Sequence, residues 1–136
     1  MVVVIYLNAS QLKPVKGQMR IGATYMTMNN DFYKVLNNEV EKIVEENNDI
    51  LYTRAPALDV DKQTQQVESF IEKGVNIIII NPVDANSQKL IKALKKAKKA
   101  GIKIVVVDSQ LSDDSSVDTR RLYRIIIKLV FYALKI

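Results

Sequence analysis

Two short stretches gather the side chains that could do chemistry in this 136-residue chain. One holds Asn30, Phe32 and Tyr33; the other holds Asp108 and Ser109. An ionised carboxylate offers two acceptor oxygens to neighbouring hydroxyls, and an asparagine amide both donates and accepts, as a hydroxyl does. Aromatic rings add flat apolar surface for the C–H face of a pyranose or furanose. Together these groups suit a monosaccharide. Each also has a purely structural use. Asn30 can cap a helix, Asp108 can form a turn, and of the adjacent Phe32 and Tyr33 at most one can point fully into a core.

Composition narrows the chemistry further. The chain has no cysteine and no histidine, which excludes disulfides, a thiolate nucleophile, zinc–thiolate sites, a Ser–His triad and imidazole ligation. The corner Met26–Thr27–Met28–Asn29–Asn30 carries neither the Rossmann glycine pattern nor a Walker lysine. With no general base, metal cluster or phosphate loop in view, the residues point to a binding module rather than an enzyme, without cofactor or metal. A hydrophobic content of 48% against 26% charged residues fits a folded domain. The formal charge of +5 is misleading about partners. Arg120, Arg121, Arg124, Lys128 and Lys135 supply all of it, so residues 1–119 are neutral overall and no nucleic-acid partner is expected.

The elements that must position these residues alternate between strand and helix. A strand is expected over residues 20–27, with Ile21, Ala23 and Tyr25 on one face. The polar corner Asn29–Asn30–Asp31 precedes a helix whose apolar face carries Phe32, Val35, Leu36, Val40, Ile43 and Val44. A second strand begins at Ile50, and Val60, Thr64, Val67 and Ile71 mark a second helix closed by Gly74. Val75 to Ile80 is apolar apart from Asn76, as a strand buried on both faces is. Asp84 is placed to cap a third helix carrying Leu90, Ile91, Leu94 and Ala97, followed by a strand over 103–107 with Asp108 at its carboxyl end. The fold class is α/β, a Rossmann-like three-layer parallel sheet. Ligands of such sheets sit at the carboxyl ends of the strands, where both chemical stretches fall. Six lysines on the third helix (Lys89, Lys92, Lys95, Lys96, Lys98, Lys99) read as a solvated face, with phosphate binding as the other use.

Four of these stretches, in consistent order over about residues 20–119, resemble the ribose-type sugar-binding proteins of ABC importers. They are Asn29–Asn30–Asp31–Phe32–Tyr33; Asp59–Val60–Asp61–Lys62–Gln63; Gly74–Val75 through Asn81–Pro82–Val83–Asp84; and Ala100–Gly101–Ile102 through Val107–Asp108–Ser109. The resemblance implies the first lobe of a two-lobed, extracytoplasmic periplasmic binding protein that closes on a sugar and delivers it to a transporter permease. It implies ligand contacts at Asn30, Phe32, Tyr33 and Asp108. Ser109 stands where ribose binders carry an arginine, and Asp31 replaces the usual proline. A two-lobed member runs to roughly twice this length, so a lone lobe is expected to bind at millimolar strength or weaker, with loss of half the contacts removing more than ~4 kcal/mol. The ligand-sensing core of a LacI-type transcription regulator shares this fold and is the alternative, although residues 1–19 are too short and apolar for its helix-turn-helix.

The ends of the chain carry their own expectations. Val2 to Leu7 reads either as the remnant of an export signal, no intact one being present, or as an extra strand, and residues 11–18 read as a linker. Residues 120–136 form a basic, apolar tail. One choice of codons for Arg124 to Val130, AGG ATA ATT ATA AAG CTG GTN, spells Asp-Asn-Tyr-Lys-Ala-Gly when read from the third base, the continuation the resemblance implies. A one-base frameshift near Thr119–Arg121 accounts for that coincidence. The rival reading is a membrane-surface helix with Arg121, Arg124, Lys128 and Lys135 as its basic stripe. Exposed strands and an apolar tail also predict self-association.

Overall fold

The structure is a computed structural model that describes residues 2–6 and 17–108. The readings for residues 7–16, Ser109 and the tail 120–136 lie outside the described residues. Its elements in chain order are β1 (Val2–Tyr6), β2 (Arg20–Thr24), α1 (Asp31–Glu46), β3 (Ile50–Arg54), α2 (Val60–Glu72), β4 (Ile77–Ile80), α3 (Gln88–Lys99) and β5 (Lys103–Asp108). They build one five-stranded sheet in the order β1-β5-β4-β2-β3. The pairs β2–β3, β2–β4 and β4–β5 are parallel, and β1 runs antiparallel along β5, from Val2 opposite Asp108 to Tyr6 opposite Ile104. The apolar stretch Val2–Tyr6 forms an extra strand on this sheet.

Two apolar layers sandwich the sheet. On one face Ile21, Ala23, Ile77, Ile79, Val105 and Val107 meet Tyr33, Leu36, Val40, Ile43 and Val44 of α1. On the other, Ile78, Ile80 and Ile104 meet Val67 and Phe70 of α2 and Leu90, Ala93 and Ala97 of α3. The uninterrupted isoleucines of β4 follow from this: odd and even positions each face a helix layer. Side-chain hydrogen bonds also tie α1 to its neighbouring edge strand. Thr53 Oγ1 donates to Asn37 Oδ1 at 3.1 Å, and Asn37 Nδ2 donates to Glu41 Oε1 at 3.1 Å.

Three expectations are corrected. The first strand ends at Thr24 rather than residue 27, because Met26 and the residues after it turn into the corner before α1. Ser87, not Asp84, caps α3, its hydroxyl accepting from Leu90 N at 3.4 Å. Asp84 instead folds the turn ahead of it, with Oδ1 accepting from Asn86 N at 2.9 Å and its carbonyl from Ser87 N. Of the expected Val60, Thr64, Val67 and Ile71, only Val67 is on the inner face of α2, with Gln63 and Phe70; Val60, Thr64 and Ile71 are half-buried. The six lysines of α3 are exposed, and two of them meet α2: Lys96 pairs with Glu68 at 2.8 Å and Lys89 with Asp61 at 3.4 Å.

Candidate functional site

Parallel strands with helical returns bring every strand-to-helix corner to one edge of the sheet. Here those corners are residues 25–30 after β2, 55–59 after β3, 81–87 after β4, and the end of β5 at Asp108. The strand order places β4 alone between β2 and β5. The Asn30 corner and the Asp108 strand end therefore lie one strand apart, about 10 Å across the sheet.

The β2–α1 corner is built by short polar side chains and backbone turns. Thr27 Oγ1 accepts from Asn29 N at 3.1 Å, and the Asn30 carbonyl starts α1 by accepting from Tyr33 N at 3.1 Å and Lys34 N at 3.4 Å. Asn30 is exposed at the head of the helix, with Asp31 in its first turn favourably placed toward the positive end of the helix dipole. Tyr33 is buried, its ring stacked on Tyr25 with centroids 6.0 Å apart and planes at 24°. Of the Phe32–Tyr33 pair, Tyr33 thus faces the core. The side chains of Phe32 and Asp108 lie outside what is described, as does Ser109 entirely; the backbone puts Phe32 in the first turn of α1 and Asp108 at the last position of β5.

Beneath the edge runs a buried polar network. Asn81 and Gln63 are fully buried, and so is Thr24. Gln63 Nε2 donates to the Asn81 carbonyl at 2.9 Å and to Thr24 Oγ1 at 3.3 Å, while its Oε1 accepts from Val83 N at 2.8 Å. Thr24 Oγ1 in turn donates to Gln66 Oε1 at 2.8 Å. Asn81 Oδ1 accepts from Met26 N at 3.1 Å, and its Nδ2 donates to the Val107 carbonyl at 2.8 Å. Fully satisfied networks of this kind fix geometry, since each broken bond would strand a buried polar group.

The β3–α2 corner joins the same edge. Leu58 N donates to the Met26 carbonyl at 2.8 Å, and Asp59 caps α2 by accepting from Asp61 N and Lys62 N at 3.0 and 3.1 Å. Ala57 and Leu58 both hold left-handed backbone, at φ 53° and 64°, which costs about 1 kcal/mol or more for each non-glycine residue. Leu58 is 62% exposed, the largest exposed apolar side chain among the described residues. Sequence reasoning singled out neither Leu58, Gln63 nor Asn81 as part of the site. A lone leucine in a loop gives no signal, but a polar residue directly after an all-isoleucine strand does, because a buried amide there must be bonded.

Among the described residues no group of carboxylates could hold a metal ion, and no helix is long and apolar enough to cross a membrane. An apolar groove of about 360 Å³ follows the flank of α3, lined by residues such as Pro82, Leu90, Leu94 and Val106. Its lining is apolar apart from Lys95 and Lys98, with no amide, hydroxyl or carboxylate side chain to meet a polyol.

A family model described as a periplasmic binding protein domain matches residues 21–126. The ribose import binding protein of Bacillus subtilis is 30% identical over 93 residues, a match covering 68% of this chain and 30% of that relative. Among solved structures, an ABC transporter solute-binding protein from Mycobacterium smegmatis with bound glycerol is 32% identical, with a TM-score of 0.60 over 67% of this chain and 31% of that one. A periplasmic solute-binding protein from Actinobacillus succinogenes with bound D-allose is 25% identical, with a TM-score of 0.62 over 73% of this chain and 35% of that one. The chain thus spans about a third of the length of the relatives it matches.

Proposed function

The chain belongs to the periplasmic binding protein domain family, and from that premise we propose that residues 20–119 form one sugar-binding lobe of the solute-binding component of an ABC-type carbohydrate importer. The ligand is a monosaccharide or similar polyol, held extracytoplasmically and passed to a transporter permease. Asn30, Phe32, Asp108 and Ser109 make the polar and aromatic contacts, and the buried Tyr33 holds the corner from behind. Ser109 in place of an arginine argues against selectivity for ribose. The relatives named above are importer binding proteins, which favours this reading over a regulator core.

One observation carries the proposal: the sheet brings the Asn30 corner and the end of β5 to the same edge, a single strand apart. An amide at one corner and a carboxylate-bearing residue at the other can then bracket adjacent hydroxyls of one sugar ring. A single wall of contacts binds weakly, and hinge closure on a ligand needs a second wall. Self-association through apolar surface is part of the same proposal.

Titration of the 136-residue chain with D-ribose, D-allose and myo-inositol, followed by amide NMR, tests it. Shifts confined to residues 26–33 and 107–109, with dissociation constants in the millimolar range or weaker, are expected. Shifts elsewhere or none at all would refute the carbohydrate reading. Micromolar binding would refute the weak single-wall mode.

A further inference from the structure

We infer that Asn81 is the positioning residue of the sugar site: its buried side-chain amide clamps the two ligand-bearing corners at a fixed separation. The inference rests on the sugar-binding reading above for the word ligand, and on the geometry of this chain for the clamp itself. Asn81 follows the last residue of β4, the strand that separates β2 from β5. In register it falls in the row of Tyr25 and Val107, since Ile80 pairs with Thr24 on one side and with Val106 on the other. From there one amide reaches both neighbours. Oδ1 accepts from Met26 N at 3.1 Å, at the root of the corner that carries Asn30. Nδ2 donates to the Val107 carbonyl at 2.8 Å, one residue before Asp108.

The backbone of Asn81 anchors the clamp. Its N–H donates to the Thr24 carbonyl at 2.9 Å, extending the β2–β4 ladder, and its carbonyl accepts from Gln63 Nε2 at 2.9 Å. All four polar groups of the residue are therefore engaged, and the side chain is fully buried. The chemistry restricts what can stand here. The position needs a donor and an acceptor side by side on a short stem, which asparagine has, aspartate half has, and leucine lacks. Asn81 acts through the corners, by fixing where Asn30 and Asp108 start.

The test uses the full chain with Asn81→Leu and Asn81→Asp, and with Ala97→Gly as a control that weakens α3 at its buried face away from the strand tips. In Asn81→Leu the Met26 amide should exchange with solvent about tenfold faster or more, while Tyr25 N–H, bonded to the Arg54 carbonyl, keeps its rate. Asn81→Asp keeps the acceptor for Met26 and should preserve that protection, yet it presents an oxygen where the Val107 carbonyl requires a donor. Both Asn81 variants should weaken D-ribose, D-allose and myo-inositol binding about tenfold, with Ala97→Gly leaving affinity within about twofold. If Asn81→Leu does not fold, the Asp variant carries the affinity test alone. Unchanged Met26 exchange in Asn81→Leu would overturn the clamp. An equal affinity loss in Ala97→Gly would overturn positioning in favour of general loosening. If no polyol shifts even the unaltered chain, the sugar reading falls while the Met26 rates still decide the clamp.

Discussion

Tyr25 carries its hydroxyl into the core under α1, and among the described residues that hydroxyl finds no hydrogen-bond partner. Burial first, and then the nearby Glu41 carboxylate, push the phenol well above its ordinary value of 10. Because the folded state holds the neutral phenol more tightly than the unfolded chain does, its contribution to stability is complete below pH 10. That contribution is lost as pH rises above 10 toward the folded value. Tyr25→Phe should therefore leave stability unchanged or raise it by about 1 kcal/mol at pH 7, and flatten the decline above pH 10. Urea unfolding followed by circular dichroism at pH 7 and 10.5 checks both. A loss of more than about 1 kcal/mol at pH 7 would mean that the hydroxyl has a partner. The same ring shows where residue-level reading stops. Their adjacency says that at most one of Phe32 and Tyr33 points fully into the core; that Tyr33 is buried there was not legible. Neighbours on a helix are 100° apart and flank the same apolar face, and only the place of Tyr25 on β2, with Tyr33 stacked on it, decides.

At the scale of elements, Gly22 and Phe70 make one joint. Gly22 is buried in β2, and a Cβ there would lie 2.6 Å from Phe70 Cγ, so the ring of α2 rests directly on strand backbone. Gly22→Ala should destabilise the chain by about 1–3 kcal/mol through overpacking. A smaller partner, Phe70→Leu, should recover part of that loss in a double-mutant cycle. Additive losses in chemical denaturation would show that the two do not touch. The alternation of strands and helices, their order and the helix-covered β4 were all legible from the apolar period, although the cap of α3 is Ser87 rather than Asp84. The face of α2 was not. Helical spacing chose Val60, Thr64, Val67 and Ile71, of which only Val67 is on the inner row, and that row includes Gln63. A glutamine is buried only because Asn81, Thr24 and Val83 satisfy its amide, and those partners are distant in sequence. The candidate site divides the same way. Its corners could be read from local residue types, but the network that holds them is made of long-range bonds.

For the whole molecule, the decisive feature is how the sheet ends. A parallel sheet leaves a row of unpaired backbone groups at each edge, and such rows recruit other chains. The β3 edge is short and closes on the exposed Arg54. The β5 edge is covered by β1, which pairs with it from Val2 to Tyr6, so the chain blunts that edge with its own first residues. Removing residues 1–6 should bare β5 along Ile104 to Asp108, within a strand that is charged only at its two ends, Lys103 and Asp108. The shortened chain should then associate at concentrations where the full chain does not, and unfold at lower urea. Sedimentation velocity over a concentration series, beside urea titrations of both chains, measures the two effects. The proposed sugar-binding edge lies at the carboxyl ends of the strands, and β5 delivers Asp108 to it; loosening β5 should therefore also weaken any polyol binding seen in the full chain. Deletion that leaves association, unfolding and binding unchanged would show that β1 contributes nothing to the sheet, and that β5 keeps its place through β4 alone.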